Sequence, residues 1–147
     1  MSQQDQDAEG FMLRATEVAD VEAHPDLALG VYARKIYQSR RERDKKSPAQ
    51  GLFQDPAWDI LLDLFIAHAE NKKMSVTSAG LAGQASTTTA LRWIWALEEA
   101  KLVERKHDEA DKRRSFVSLT TEGLNYMRDI LSDTRNRLGS TSTETCD

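Results

Sequence analysis

Two groups of polar side chains combine hydroxyl groups with positive charge. The first lies in residues 86–92 and supplies hydroxyl groups and one guanidinium: Ser86, Thr87, Thr88, Thr89 and Arg92. The second supplies positive charge between residues 106 and 114: Lys106, Lys112, Arg113 and Arg114. Hydroxyl and guanidinium groups can bond base edges, and cations can bond phosphates. These residues are therefore the candidate DNA-binding residues.

Catalysis and metal binding find no comparable support in the sequence. His24, His68 and His107 are far apart and share no ligand spacing. Cys146 has no second thiol to pair with. We therefore expect no enzyme activity, no catalytic residue, no cofactor and no metal site. His68 lies one position from an apolar helical face, which favours a structural histidine held by a hydrogen bond.

The first candidate group begins a predicted helix. Ser86 is a suitable N-cap, because its hydroxyl can accept a hydrogen bond from a backbone amide of the first turn. At about 100° per residue, four apolar side chains then share one face: Ala90, Trp93, Ile94 and Leu97. We expect this face to enter the core, and Thr88, Arg92 and Trp95 to point outward.

The second half of this helix is less suited to DNA. Leu91 and Trp95 are four residues apart, so they can form one apolar ridge on the outward side. Glu98 and Glu99 follow and would repel phosphate. The ridge leaves open an alternative function, a protein-interaction module with little or no DNA binding.

Apolar spacing and capping residues predict the elements that come earlier in the chain. A helix is expected from about residue 24 to about Lys46, and a second helix is opened by Asp55 and Pro56. The basic end of the first helix, residues 40–46, is interpreted as a solvated helix end, with a phosphate contact as the alternative. Residues 74–76 are expected to be extended.

The remaining elements complete a winged helix. Thr77 is expected to cap a short helix with Leu81 pointing inward, so that two helices follow each other as in a helix-turn-helix. Residues 102–106 and 114–119 are predicted strands around a charged turn, and Thr120 caps a last helix that ends at Gly139. The predicted fold class is mainly α (α+β), in the order α, α, β, α, α, β, β, α.

Charge and length bound the other properties. The 147 residues carry a net charge of −4, but residues 1–26 hold seven acids and one Arg, whereas residues 34–46 hold seven bases and two acids. No apolar run approaches the roughly 20 residues that cross a bilayer. The acidic N-terminus does not resemble a signal peptide, so we expect a cytoplasmic protein.

A single globular domain with polar tails is the expected organisation. An apolar stripe on each outer helix needs partners that a small winged core cannot supply, which favours a homodimer. The predicted division is a largely disordered acidic tail at 1–23, one domain at 24–139 and a disordered tail at 140–147. Within the domain, residues 55–122 are the winged-helix core, and 24–46 and 120–139 are dimerisation helices.

Three segments carry a resemblance to a known family. They are A-L-E-E-A-K-L-V-E-R-K at 96–106, D-E-A-D-K-R at 108–113 and V-S-L-T-T-E-G at 117–123. With this spacing, residues 61–123 resemble the MarR family of winged helix-turn-helix transcription regulators. Lys101 departs from the family, which usually has a Gly there, and a positive φ at a non-Gly residue costs about 1 kcal/mol.

The resemblance implies a function and roles for individual residues. Such proteins are DNA-binding homodimers whose first and last helices interlock, with the recognition helix in the major groove and the wing at the minor groove. Arg113 would be the wing arginine, positioned by an ion pair with Asp111. Many members also bind a small phenolic or lipophilic molecule, so a small-molecule effector is a further expected partner.

Overall fold

The computed structural model describes residues 25–83 and 86–140. The predicted tail at 1–23 and the turn at 84–85 lie outside these residues, as does the predicted tail at 140–147, with Cys146, apart from Ser140. Within them the chain forms five helices and three strands: α1 (Leu27–Lys46), α2 (Pro56–Ala69), β1 (Met74–Ser75), α3 (Val76–Ala82), α4 (Thr87–Glu99), β2 (Val103–His107), β3 (Ser115–Leu119) and α5 (Thr121–Ser140). The predicted element order and the mainly helical winged-helix fold are confirmed.

The sheet is antiparallel and has the strand order β1-β3-β2. Arg105 of β2 lies opposite Val117 of β3, and Val103 lies opposite Leu119. Val103, Val117 and Leu119 are buried, whereas Phe116 on the other face is only partly buried. The predicted alternation of the second strand is therefore confirmed, and one face of the hairpin base packs on the helices.

Helix α2 supplies much of the core. Asp55 caps it by accepting a hydrogen bond from the Trp58 amide at 3.4 Å, and Pro56 stands at its first position, as predicted. Ile60, Leu62 and Phe65 are fully buried. Since these side chains pack with residues of α4 and α5 in one cluster, α2 holds the helix-turn-helix to the last helix.

The helix-turn-helix packs through small residues, which corrects two predictions. Ser75, not Thr77, caps α3, because the Ser75 Oγ accepts from the Ser78 amide at 3.1 Å. Leu81 is 72% exposed instead of pointing inward. A Cβ on Gly80 would lie only 2.8 Å from the Ala90 Cβ, so α3 and α4 approach too closely for a large side chain between them.

Two further predictions about helices are wrong. Trp93 is 40% exposed, because the buried stripe of α4 is narrow and consists of Ala90, Ile94 and Leu97. Helix α5 passes through Gly139 to Ser140, so Gly139 does not end it. A glycine inside a helix weakens it but does not prevent its continuation.

Two arginines at the basic end of α1 bind a buried carboxylate. Asp59 of α2 is completely buried, and its carboxylate accepts hydrogen bonds from Arg40 Nε and Arg41 Nη2, both at 2.6 Å. Arg43 donates to the carbonyl oxygen of Phe53 at 2.6 Å. The preferred interpretation as a solvated helix end is therefore wrong for Arg40 and Arg41, which are not available to phosphate either, whereas Arg43 stays exposed.

A second buried carboxylate joins α1 to α2 and α5. Asp26 is 3% exposed and accepts from Arg128 Nε and Nη2 at 2.8 and 2.7 Å. His68 Nε2 lies 2.9 Å from the same carboxylate, so the predicted structural role of His68 is confirmed. The hydrogen bonds from Arg128, with a smaller contribution from His68, outweigh burial and lower the pKa of Asp26 from 3.8 to about 2.

Candidate nucleic-acid interface

The N-terminus of α4 has the geometry that the sequence predicts. The Ser86 Oγ accepts a hydrogen bond from the Thr89 amide at 3.3 Å and lies 3.0 Å from the Thr89 hydroxyl. Ser86 is therefore the N-cap, and its backbone is extended with φ of −60° and ψ of 157°. The first-turn amides that remain unpaired give this end a partial positive charge, which favours an anion.

The candidate residues of α4 are accessible. The predicted group Ser86, Thr87, Thr88, Thr89 and Arg92 is exposed throughout. Arg92 forms no ion pair with any residue in 25–83 or 86–140. Its guanidinium is therefore open to base edges or phosphates, which are the partners that its chemistry suits.

The wing is the hairpin of β2 and β3 with the loop 108–114 at its tip, and backbone hydrogen bonds close this loop. The Asp108 amide donates to the Arg114 carbonyl at 2.9 Å, and the Arg114 amide donates to the Asp111 carbonyl at 3.0 Å. Two carboxylates stabilise the turns of this loop. Asp108 accepts a hydrogen bond from the Ala110 amide, and Asp111 accepts one from the Arg113 amide. The motif residues Asp108 and Asp111 therefore shape the loop.

The role of Asp111 differs from the implied ion pair. Its Oδ1 lies 3.0 Å from the Arg113 backbone nitrogen, and within the described part of the chain it forms no ion pair with the Arg113 guanidinium. A short carboxylate bonds the amide two residues ahead of it in an Asx turn, which leaves the guanidinium free to point away. Asp111 thus positions Arg113 through the backbone.

The cations of the wing are exposed. Lys106 lies opposite Phe116 in the hairpin, and Lys112, Arg113 and Arg114 lie at its tip. Lys106 has only a distant contact with Glu104, at 3.9 Å. The three tip cations have no acidic partner among residues 25–83 and 86–140, so their charge is available to a polyanion.

The turn between α4 and β2, residues 100–102, forms the junction that fixes the base of the wing. Helix α4 ends in a Schellman motif, because the Leu102 amide donates to the Leu97 carbonyl and the Lys101 amide to the Glu98 carbonyl. Lys101 has a φ of 63°, so the predicted positive φ at this non-Gly residue is confirmed.

The start of α5 completes this junction. The Thr120 hydroxyl donates to the Lys101 carbonyl at 2.6 Å and accepts from the Gly123 amide at 3.0 Å, which confirms Thr120 as a cap. A Cβ on Gly123 would overlap the Leu102 carbonyl oxygen. Thr120 and Gly123 of the segment V-S-L-T-T-E-G at 117–123 therefore bind α5 directly to the turn between α4 and β2.

One basic residue that the sequence analysis did not single out connects α4 to the wing. Arg105 donates to the Glu98 carboxylate through Nε at 2.6 Å and through Nη2 at 3.2 Å. Its guanidinium carbon lies 6.0 Å from the ring centre of Trp95, which is 51% exposed as predicted. The hydrogen bond from Arg105 lowers the pKa of Glu98, so this carboxylate is charged and already paired.

The described part of the chain has neither a cluster of metal ligands nor a membrane-spanning helix. Residues 25–83 and 86–140 hold no group of three or more His, Cys, Asp or Glu side chains that could bind a metal ion. No helix in those segments is long and apolar enough to cross a membrane. The expected absence of an enzyme activity and of a cofactor stays a prediction.

Part of the chain is similar to a known domain family. Residues 65–123 match the family described as winged helix DNA-binding domain. The match contains α3, α4 and the whole wing, which are the elements that carry the candidate residues. Residues 65–123 are therefore similar to winged helix DNA-binding domains. No curated protein matches the chain in sequence.

Solved structures extend the similarity to the outer helices. A single-residue mutant of Staphylococcus aureus MepR bound to an oligodeoxyribonucleotide is 16% identical, with a TM-score of 0.54 over 95% of this chain and 84% of the other. MepR bound to ethidium bromide is 21% identical, with a TM-score of 0.50 over 78% and 79%. AF1382 from Archaeoglobus fulgidus is 21% identical, with a TM-score of 0.50 over 58% and 91%.

These similarities concern the fold. MepR is a MarR-family regulator. The resemblance seen in the sequence is therefore confirmed at the level of the fold.

Proposed function

We propose that this protein is a transcription regulator that binds double-stranded DNA as a homodimer. The wing carries the proposal, because its tip presents three exposed cations without an acidic partner in the described residues. The winged helix DNA-binding domain and the DNA-bound MepR structure, which has the same fold, support it. DNA affinity depends on such cations, because each phosphate that they neutralise releases counterions.

The proposed contacts divide the candidate residues into two roles. The hydroxyl groups of α4 and Arg92 contact base edges in the major groove and provide sequence specificity. Lys106, Lys112 and Arg114 contact phosphates, and Arg113 reaches the minor groove from a loop that Asp111 shapes. Glu98 does not oppose this arrangement as a free charge, because Arg105 neutralises it.

The dimer uses the outer helices. Three large apolar residues of α1 and α5 are exposed in the single chain: Val31, Tyr126 and Leu138. Burial of such residues against a second copy would remove them from water. We keep residues 55–122 as the DNA-binding core, 24–46 and 120–139 as the dimerisation helices, and the cytoplasm as the location. The two DNA sites would then lie about one helical turn apart.

A small-molecule effector is a further part of the proposal. The structure of MepR with ethidium bromide shows that one protein of this fold holds a small aromatic molecule. The alternative function, a protein-interaction module, has less support, because Arg105 of this chain already lies against Trp95 in the apolar ridge.

The test is selection of bound genomic DNA fragments at two salt concentrations, followed by affinity measurements on the selected site. Arg113→Ala should weaken binding to all sequences and make the slope of log K against log salt shallower by about 2, since the dimer loses two cations that neutralise DNA charge from the minor groove. Arg92→Ala should mainly reduce discrimination between the selected site and random DNA.

The matched control is Lys73→Ala. Lys73 is exposed between α2 and β1, outside the proposed dimerisation helices and DNA contacts, and forms no ion pair with the described residues, so its removal changes the charge but no proposed contact. Sedimentation should show dimers for all variants. A folded dimer that binds no fragment in a salt-dependent way would refute the proposed function.

A further inference from the structure

The contact between Glu98 and Arg105 joins the two parts of the DNA-binding surface. Glu98 lies in the last turn of α4, and Arg105 lies in the middle of β2. Both side chains are a little over one third exposed, and two hydrogen bonds connect them in a forked arrangement. Such geometry fixes the relative orientation of two groups better than a single contact does.

The sheet register explains why Arg105 can reach α4. Residues opposite each other in an antiparallel pair point to the same face, and Arg105 lies opposite the buried Val117. Val103, two residues earlier, is in the core, whereas Arg105 lies on the same face of the hairpin at the edge of the core. Its side chain therefore extends the packed face of the hairpin towards the end of α4.

Trp95 adds a second contact at the same place. Trp95 and Glu98 are three residues apart on α4, so they are neighbours on one side of the helix. The Arg105 guanidinium lies over the indole while it bonds the carboxylate. A guanidinium can stack on an aromatic ring and bond a carboxylate at once, which a lysine could not do as well.

We propose that Trp95, Glu98 and Arg105 form a clamp that sets the position of the wing relative to the recognition helix. This inference rests on the proposed DNA-binding function and assigns these three as positioning residues. Binding at the major and minor grooves together requires the helix and the wing at a defined separation. In the clamp, Arg105 binds Glu98 and lies against Trp95, and it does not contact phosphate.

Glu98→Gln separates this role from simple electrostatics. The substitution removes a negative charge near the DNA and releases Arg105, so electrostatics alone predicts tighter binding and a steeper salt slope. The clamp predicts the opposite: affinity for the selected site falls by about three- to tenfold, since exposed ion pairs contribute modestly and the dimer has two. Affinity for random DNA should change less.

Glu99→Gln is the matched control. Glu99 is the next residue, is exposed and has no ion pair within the described residues, so its substitution removes the same charge without touching the clamp. It should bind the selected site as tightly as the native protein or slightly tighter. The double exchange of Glu98→Arg with Arg105→Glu keeps the net charge and should recover most of the affinity that Glu98→Gln loses.

Amide hydrogen exchange tests the clamp without DNA. The Asp108 amide closes the wing on the Arg114 carbonyl, and it should exchange faster in Glu98→Gln than in Glu99→Gln. Equal exchange together with equal site affinity in these two variants would overturn the clamp. If the native protein binds no DNA, the proposed function fails, and the exchange rates alone decide whether the clamp holds the wing.

Discussion

The buried carboxylate of Asp26 makes the stability of the protein depend on pH, and the substitution Asp26→Asn tests this dependence. Asp26 is 3% exposed and bound by Arg128 and His68, and its pKa is about 2 instead of 3.8. A carboxyl whose pKa is lower in the folded than in the unfolded state stabilises the fold above the unfolded pKa. That contribution decreases as the pH falls from 3.8 towards 2.

The size of the effect follows from the two pKa values. One pKa unit corresponds to about 1.36 kcal/mol, so the fall from 3.8 to about 2 sets an upper value of about 2.4 kcal/mol at neutral pH. The Arg128 side chain is 37% exposed, and water screens its charge. We therefore expect Asp26→Asn to lower the free energy of unfolding by about 1–2 kcal/mol at pH 7, and by about half as much at pH 3.

Urea unfolding of the native protein and Asp26→Asn at pH 7, 5, 4 and 3 measures this difference. Asp129→Asn is the control, because Asp129 lies beside Arg128 on α5 but is exposed and has no ion pair among the described residues. It should change stability little at every pH. Equal stability of the native protein and Asp26→Asn at pH 7, or a gap that stays constant down to pH 3, would refute this account.

Two further predictions concern the junction at the base of the wing. Gly123→Ala should lower the free energy of unfolding by about 1–3 kcal/mol, because the new methyl group would overlap the Leu102 carbonyl oxygen. Urea unfolding measures this loss, and an unchanged free energy would contradict the close approach. Lys101→Gly should raise the melting temperature, because it relieves about 1 kcal/mol of backbone strain at a φ of 63°. Lys112→Gly in the exposed wing serves as the control, and an unchanged or lower melting temperature for Lys101→Gly would contradict the strain.

The candidate surface could be predicted from local chemistry. Ser86 caps α4 because a serine hydroxyl reaches the amide three residues ahead without help from the rest of the fold. The wing turn is also local, since Asp111 bonds the amide of Arg113 two residues away. Thr120 and Gly123 lie in the segment 117–123, which carries part of the resemblance, and the structure supplies the physical reason for each, because Thr120 caps α5 and Gly123 lies against the Leu102 carbonyl.

The contacts between distant residues could not be predicted in the same way. Arg105 was one cation among many in the sequence, and only the register of β2 with β3 brings it to Glu98. Arg40 and Arg41 form a basic pair in the sequence, but they bind the buried Asp59 on the next helix.

The sequence by itself determined the order of the elements, the N-caps of α2, α4 and α5 and the position of the charged wing, because these depend on neighbours within a few residues. Tertiary structure decided which apolar residues are buried. Leu81 and Trp93 have the spacing of core residues, but α3 and α4 meet at Gly80 and Ala90, which leaves no room for larger side chains. It also decided which charges remain available: Arg113 stays open to a partner, whereas Arg105 is used to hold the wing.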